Sequence, residues 1–361
     1  MNLEKRIDLL AELGDYCLSG APALEAAEYK AYTENGWFTP EFIRLAIQQI
    51  ATQYLQKHKL AAWAKKYNLP AIVNAPKTVG LIMAGNIPLV GFHDLLTIFI
   101  SGHRQLIRTS TRDNTLIHHL VEWMIGKNPE VANSMAFAER LNGCDAYIAT
   151  GSNNSGRYFD YYFGKYPHII RRNRTSVALL TGNETPADLS ALADDVNLYF
   201  GLGCRNVTQI FVPENYDFLP LLNAFNKYHH LSDLQKYKNN YDYQLTLLIL
   251  NKKFYMTNGA GAVSGANGVN GAGAVNGTIL LTENDSPFSP ISVLHYQYYK
   301  PGQIPPALTQ NNDAIQCIVG QSSAFTGQTG LPAIIPFGKA QQPSLEDYAD
   351  GVDTLQFLRN L

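Results

Sequence analysis

The residues best placed to do chemistry are Gly201-Leu202-Gly203-Cys204, a thiol that follows two closely spaced glycines. Upstream, residues 191–200 carry Leu192, Val196, Tyr199 and Phe200 at roughly helical spacing, and downstream Val207 to Pro213 is an apolar, β-rich run. The local pattern is helix, glycine turn, thiol, strand. Such a turn can expose a sulfur while backbone N–H groups point at whatever the sulfur attacks, the arrangement that nucleophilic catalysis requires. The competing reading is a buried structural cysteine, a common fate for this residue type. Of the other three cysteines, Cys144 precedes a strand, Cys317 lies inside an apolar run and Cys17 sits among amino-terminal helices. Their scatter matches neither zinc-ligand spacing nor a disulfide scaffold, and fits a reducing cytoplasm.

The elements that must position this turn can be read in order. Residues 1–70 are helical: Ile7, Leu9, Leu10 and Leu13 form one stripe, and Phe42, Ile43, Ala46, Ile47, Ile50, Ala51 and Leu55 another, opened by Thr39-Pro40-Glu41. From residue 77 short buried strands alternate with helices. Strands at 78–84, 105–108 and 145–150 end in Gly85-Asn86-Ile87-Pro88, in Arg108 to Arg112, and in Gly151-Ser152-Asn153-Asn154-Ser155-Gly156-Arg157. This alternation predicts a parallel, doubly wound α/β sheet with ligands beyond the carboxyl ends of its strands. Further strands are predicted at 175–180, 207–213, 245–250, 278–281, 291–296 and 314–319, with a helix near 218–229. Asn-Gly-Ala-Gly-Ala-Val occurs at 258–263 and again at 270–275, so 258–277 reads as a flexible surface insertion. The domain plan is a helical segment over 1–70 packing on the core, a nucleotide-binding domain over 71–180, a catalytic domain over 181–340 and a tail over 341–361.

Composition excludes several functions. The 361 residues are 46% hydrophobic and 16% charged, with 28 Lys+Arg against 30 Asp+Glu and a net charge of -2. No basic surplus points to nucleic acid, and no apolar run of about 18 residues predicts a membrane span. The adjacent pairs His118-His119 and His229-His230 lie on helical stretches and point to different faces, so no metal site is expected. His93 reads as a core or solvated histidine.

The order of these turns resembles the aldehyde dehydrogenase superfamily, and within it the LuxC-like fatty acyl-CoA reductases, over roughly residues 76–361. Gly85-Asn86-Ile87-Pro88 is similar to the family's Asn-x-Pro turn, Gly102 to Ser110 to its stretch along the cofactor ribose, and Gly151 to Arg157 to its pyrophosphate turn. Gly201-Leu202-Gly203-Cys204 resembles the nucleophile turn, and Pro336-Phe337-Gly338 a late Pro-Phe-Gly. The resemblance implies an aldehyde dehydrogenase-like fold. It implies Cys204 as nucleophile, with the Asn86 amide and the Cys204 N–H as oxyanion donors. Arg108, Ser110, Gly151, Ser152 and Gly156 become the cofactor-binding candidates.

One departure bears on the reaction. Where a hydrolytic relative carries Glu-Leu-Gly-Gly upstream of its cysteine, this chain reads His168-Ile169-Ile170-Arg171-Arg172-Asn173-Arg174-Thr175-Ser176, without a carboxylate. Hydrolysis of an acyl-enzyme needs a base to activate water, so reduction of an acyl thioester is expected in preference to aldehyde oxidation. Ser176 and Asn173 stand where the missing glutamate would be. Arg108 replaces the usual ribose lysine, and Thr111 an acid, which leaves room for a 2′-phosphate and points to NADP(H). The expected partner is acyl-CoA or another acyl-thioester donor, with an acyl-activating protein and a homodimer as further expectations. Acyl-phosphate reduction, aldehyde oxidation and a non-catalytic partner-binding role are the alternatives. Arg171, Arg172, Arg174 and Arg205 keep small anionic substrates open.

Overall fold

Val79 and Leu81 are fully buried in strand β1 (Thr78–Ile82), the centre of the first of two compact units into which the chain divides. The computed structural model describes residues 1–259, 263–264, 277–300, 303, 305–310, 312–321 and 334–361. Most of the 258–277 insertion therefore lies outside the described residues. The first unit comprises residues 1–173 and 342–361, and the second residues 174–341.

Four helices open the first unit: α1 (Leu3–Leu18), α2 (Pro22–Glu34), α3 (Pro40–Gln49) and α4 (Lys57–Lys66). The cap-then-proline start at Thr39-Pro40 is as predicted, with the Thr39 hydroxyl accepting from the Phe42 N–H at 3.3 Å. After β1 come α5 (Phe92–Ser101), β2 (Arg104–Arg108), α6 (Thr115–Lys127), β3 (Met135–Phe137), β4 (Ala146–Thr150), α7 (Asn153–Phe163) and β5 (His168–Arg171). The five strands pair in parallel in the order β3-β2-β1-β4-β5. The chain therefore reverses its direction of travel between β1 and β4, and in sheets of this type ligands bind at such a switch point.

The segment 341–361, read from sequence as a tail, completes this unit's core. Leu345, Tyr348, Leu355 and Leu358 are buried in the same cluster as the amino-terminal helices and β1. Polar contacts reinforce the join: the Trp63 indole N–H donates to the Tyr348 hydroxyl (3.0 Å), which donates to Tyr67 (2.9 Å), which donates to Asp353 (2.6 Å). His93 belongs here as well, with its Nε2 3.0 Å from the Leu345 carbonyl and its ring against Tyr54 and Tyr348. It is a packing residue.

The second unit opens with β6 (Thr175–Leu179), followed by α8 (Pro186–Asn197), β7 (Val207–Pro213), α9 (Leu219–Ala224), α10 (Gln235–Leu250) and β8 (Tyr255–Thr257). There follow β9 (Val263–Ser264), β10 (Leu280–Glu283), β11 (Val293–Tyr299), α11 (Pro306–Gln310), β12 (Ile315–Gly320) and β13 (Ile334–Ile335). Its sheet runs β13-β12-β6-β7-β11-β10-β8-β9 and is parallel except where β8 and β9 join antiparallel. The strand at 175–179, grouped by sequence with the nucleotide-binding stretch 71–180, pairs with β7 and β12 of the second unit.

One predicted strand is a helix. Residues 245–250 form the end of α10, not an edge of the sheet. The helix lays Tyr241, Leu245 and Leu248 over Tyr255, Leu280 and Val293, a contact set at helical spacing that a six-residue apolar run conceals.

Candidate active site

Cys204 is partly exposed, whereas Cys17, Cys144 and Cys317 are buried. The approach to it is built by α8, which starts with a reciprocal cap. The Thr185 hydroxyl accepts from the Asp188 N–H (3.1 Å), the Asp188 carboxylate accepts from the Thr185 N–H (3.0 Å), and Pro186 occupies the first turn. The helix ends at Asn197, and the backbone then passes through three consecutive left-handed residues: Tyr199 (φ 54°), Phe200 (φ 57°) and Gly201 (φ 73°). For the two buried aromatics this conformation costs on the order of 1–3 kcal/mol each, so the surroundings must impose it.

Asn206 imposes it. This side chain has no exposure. Its amide nitrogen donates to the carbonyls of Leu198 (2.7 Å) and Asp195 (3.1 Å), with Val196 at 3.4 Å, and its oxygen accepts from the Gly203 N–H at 2.8 Å. One asparagine thus satisfies carbonyls left open at the end of α8 and fixes the residue before the thiol. Sequence reasoning missed it. The only signal was a polar residue standing at the head of an apolar strand.

The far side of the turn is held by Ser176 on β6, one of the two residues standing in place of the expected glutamate. It is fully buried, donates to the Cys204 carbonyl (3.1 Å) and lies 3.0 Å from the Cys317 sulfur. With its proton on that carbonyl, Ser176 accepts from the Cys317 thiol. Burial pushes the Cys317 thiol above its ordinary pKa, which keeps it a neutral donor. The other such residue, Asn173, falls in the first unit, its N–H donating to the Asn153 side chain at 3.3 Å.

The late Pro336-Phe337-Gly338 also joins this region. Asp195, near the end of α8, accepts from the Gly338 N–H (2.6 Å) and the Ala340 N–H (3.0 Å). Both carboxylate oxygens are occupied, so Asp195 anchors a loop and is not poised to activate water. Burial raises its pKa from 3.8 to about 7, against the two N–H donors that favour the charged form. The folded protein thus keeps this proton to higher pH than the unfolded chain does. The stabilisation is fully present below pH 3.8 and is lost as pH rises to about 7. Asp195→Asn, whose oxygen still accepts one of the two N–H groups, is expected to remove this share of the decline, as measured by denaturant unfolding across that window.

In the first unit the cofactor candidates line the carboxyl edge of the parallel sheet. The Asn86 turn leaves β1, Arg108 ends β2 with Ser110 just beyond, and Gly151 and Ser152 join β4 to α7. These stretches touch: the Met83 N–H donates to the Arg108 carbonyl (3.0 Å), and a Cβ on Gly85 would lie 2.6 Å from Ser110 Oγ. The structure therefore brings Asn86, Arg108 and Ser110 to one edge, and sets Gly151, Ser152 and Gly156 at the neighbouring strand. Ser152 caps α7, accepting from the Ser155 N–H at 3.2 Å. Gly156 is buried beneath Arg172, whose Nε would lie 3.2 Å from an added Cβ, so packing within the chain already explains that glycine.

Arg171 is buried against Asp94 and Thr354, Arg172 pairs with Asp160, and Arg174 donates to the Ile315 carbonyl (3.1 Å). Arg205, next to the thiol, is partly exposed. No group of acidic, histidine or cysteine side chains that could hold a metal occurs among the described residues. No described helix is long and apolar enough to cross a membrane.

With both sheets and the thiol turn in place, the chain can be compared with solved structures. Aldehyde dehydrogenase 21 from Physcomitrella patens, solved with the reaction product succinate, superposes over 100% of this chain and 84% of its own, with TM-score 0.68 and 11% identity. The fold is that of the aldehyde dehydrogenases. A 1-pyrroline-5-carboxylate dehydrogenase from Thermus with bound NAD gives TM-score 0.64 at 12% identity, covering 99% of this chain and 80% of its own. An NADP-dependent enzyme from E. coli gives 0.62 at 10%, covering 93% and 78%. No protein-family model and no curated protein matches the sequence. The fold is thus shared while little of the sequence is, and the LuxC-like subfamily stays a matter of motifs.

Proposed function

We propose that the protein is an NADPH-dependent reductase of acyl thioesters, with fatty acyl-CoA as the first donor to test, working through an acyl-Cys204 intermediate. The observation that carries this reading is the replacement of a water-activating carboxylate by Ser176. A fully buried hydroxyl bonded to the Cys204 carbonyl and to a neutral thiol has no basic group to offer water. An acyl group on Cys204 would then await hydride instead of hydrolysis.

The cofactor's requirements fit the carboxyl edge of the first sheet. Ser152, Asn153 and Asn154 are exposed at the amino end of α7, where N–H groups and the helix dipole favour a pyrophosphate. Arg108 and Arg112 are exposed at and beyond the end of β2, a cationic setting for a 2′-phosphate. The nicotinamide, when bound, supplies the hydride. The Cys204 thiolate attacks the thioester carbonyl and expels the thiol carrier, leaving the acyl group on sulfur. The carbonyl oxygen, negative in each tetrahedral state, needs hydrogen-bond donors, a role that the motif resemblance gives to the Cys204 N–H and to the Asn86 amide. Once the acyl carbon is reduced, the thiohemiacetal on Cys204 breaks its C–S bond, releases aldehyde and restores the thiol.

A second reading, reduction of a small acyl phosphate, rests on Arg205 beside the thiol. The commitment of Arg171, Arg172 and Arg174 elsewhere weakens it. The two are separated by incubating the protein with acyl-CoAs of increasing length and with acyl phosphates, following reduced-nicotinamide absorbance and the acyl adduct by intact mass. Oxidation of NADPH with acyl-CoA is expected. NADH should be poorer by about tenfold or more, the worth of one charge-assisted contact to the 2′-phosphate. Acylation by acyl phosphates alone would favour the second reading, and no adduct with any donor would favour a partner-binding protein.

A further inference from the structure

Asn86 lies in a turn whose two shoulders both rest on one loop. On one side is Gly85, where a Cβ would lie 2.6 Å from Ser110 Cβ and Oγ and 3.2 Å from Asp113 Cβ, so the turn's backbone is pressed onto the loop after β2. On the other side is Leu89, buried and held at φ 58°, a left-handed conformation that a branched side chain rarely adopts. Its N–H donates to Asp113 Oδ2 at 2.7 Å. Asp113 is itself fixed through the Asp113 N–H to Ser110 carbonyl bond (3.1 Å), and the two residues form an isolated β-bridge.

For structure alone Asp113 is a costly choice. It is 4% exposed, and its second oxygen, Oδ1, is buried without a hydrogen-bond partner. Burial lifts its pKa from 3.8 to about 7, the Leu89 N–H opposing the shift. What the side chain reaches is the backbone of a strained residue three positions after Asn86.

We propose that Asp113 is a positioning residue for the reaction, holding Leu89 in its left-handed conformation and so fixing the turn that carries Asn86. This rests on the reading of Asn86 given above. Asp113 touches neither substrate nor cofactor in this role, and acts through the turn.

The test is a cycle of variants in the full chain, with the rate of Cys204 acylation by a saturated acyl-CoA followed by quenched-flow intact mass and folding followed by thermal unfolding. Asn86→Ala is expected to slow acylation by about a hundredfold, the effect of removing one oxyanion donor. Asp113→Ala is expected to slow it about tenfold or more with KM little changed, because an interaction made in the transition state is impaired. Asp113→Asn, whose side-chain oxygen still accepts from Leu89, should stay within about threefold of the parent, since the hydrogen bond is kept. The double variant Asn86→Ala with Asp113→Ala should be no slower than Asn86→Ala alone, as expected of residues acting as a unit. If Asp113→Ala shows no cooperative unfolding, Asp113→Ser, too short to reach Leu89, carries the same expectation. Additive losses in the double variant, or Asp113→Asn as slow as Asp113→Ala, would overturn the proposal while leaving Asn86 in its role. An Asn86→Ala protein that acylates at the parent rate would overturn the reading of Asn86 itself.

Discussion

Cys204→Ala is expected to abolish the acyl adduct and to lower turnover with NADPH by about ten-thousand-fold or more, the usual consequence of deleting a covalent nucleophile. Cys204→Ser should recover little, because a hydroxyl at neutral pH is scarcely ionised where a thiol is partly so. The experiment is clean for a structural reason. The other three cysteines are buried, and burial pushes the thiols of Cys17, Cys144 and Cys317 above the ordinary range. Intact mass should therefore show a single acyl group on the parent protein and none on the variant. Turnover that survives Cys204→Ala would sink the mechanism at its first step, whatever the donor.

The largest stability effect is expected at Asn206. Asn206→Ala removes the partner of the Gly203 N–H and of the carbonyls of Leu198 and Asp195, with a cavity left behind in a fully buried position. Each buried group left unsatisfied costs about 1–3 kcal/mol. The surroundings relax in part, so a total of about 3 kcal/mol is expected, or roughly 6–12 °C in the unfolding midpoint of a unit this size. The residue also holds two left-handed aromatics in place, so the thiol turn should lose its shape before the unit unfolds. Acylation should fall more than the folded fraction does. Asn206→Asp keeps the acceptor for Gly203 but turns an oxygen toward the carbonyls, and should do no better than alanine. A loss below about 1 kcal/mol for Asn206→Ala, read from denaturant unfolding, would show that the turn is held by other means.

Both sites show what could be read from residues alone. The glycine–cysteine turn and the strand-end turns at Gly85 and Gly151 were legible because glycine punctuates apolar runs, a local signal. The helical spacing of the amino-terminal stripes was legible for the same reason. Residues 245–250 misled because a short continuous apolar run has no period of its own. Only with Tyr237 and Tyr241 added does the helical spacing emerge. Strand β5 escaped notice because it holds just two aliphatic residues, Ile169 and Ile170, between charged neighbours. Asp113, Asp195 and Asn206 were invisible for a different reason. A buried polar residue is defined by its partners, and these lie far along the chain or in backbone atoms: Asp195 meets Gly338 and Ala340, and Asp113 meets Leu89. No spacing rule encodes such pairs.

The return of the last segment to the first core has a bearing on how the chain is made. Leu355 and Leu358 fill the same cluster as Leu10, Ile43 and Val79, Thr354 accepts from Arg171, and the Leu358 carbonyl caps His103. A ribosome delivers residues 1–173, then all of 174–341, and only afterwards the stretch that closes the first unit. While the second unit is being synthesised, the first must wait with part of its apolar surface and the Asp94–Arg171 pair uncovered, a state prone to association. The second unit is a continuous stretch and can fold as soon as it emerges. The nascent chain thus completes its thiol-bearing unit before the first unit can lock.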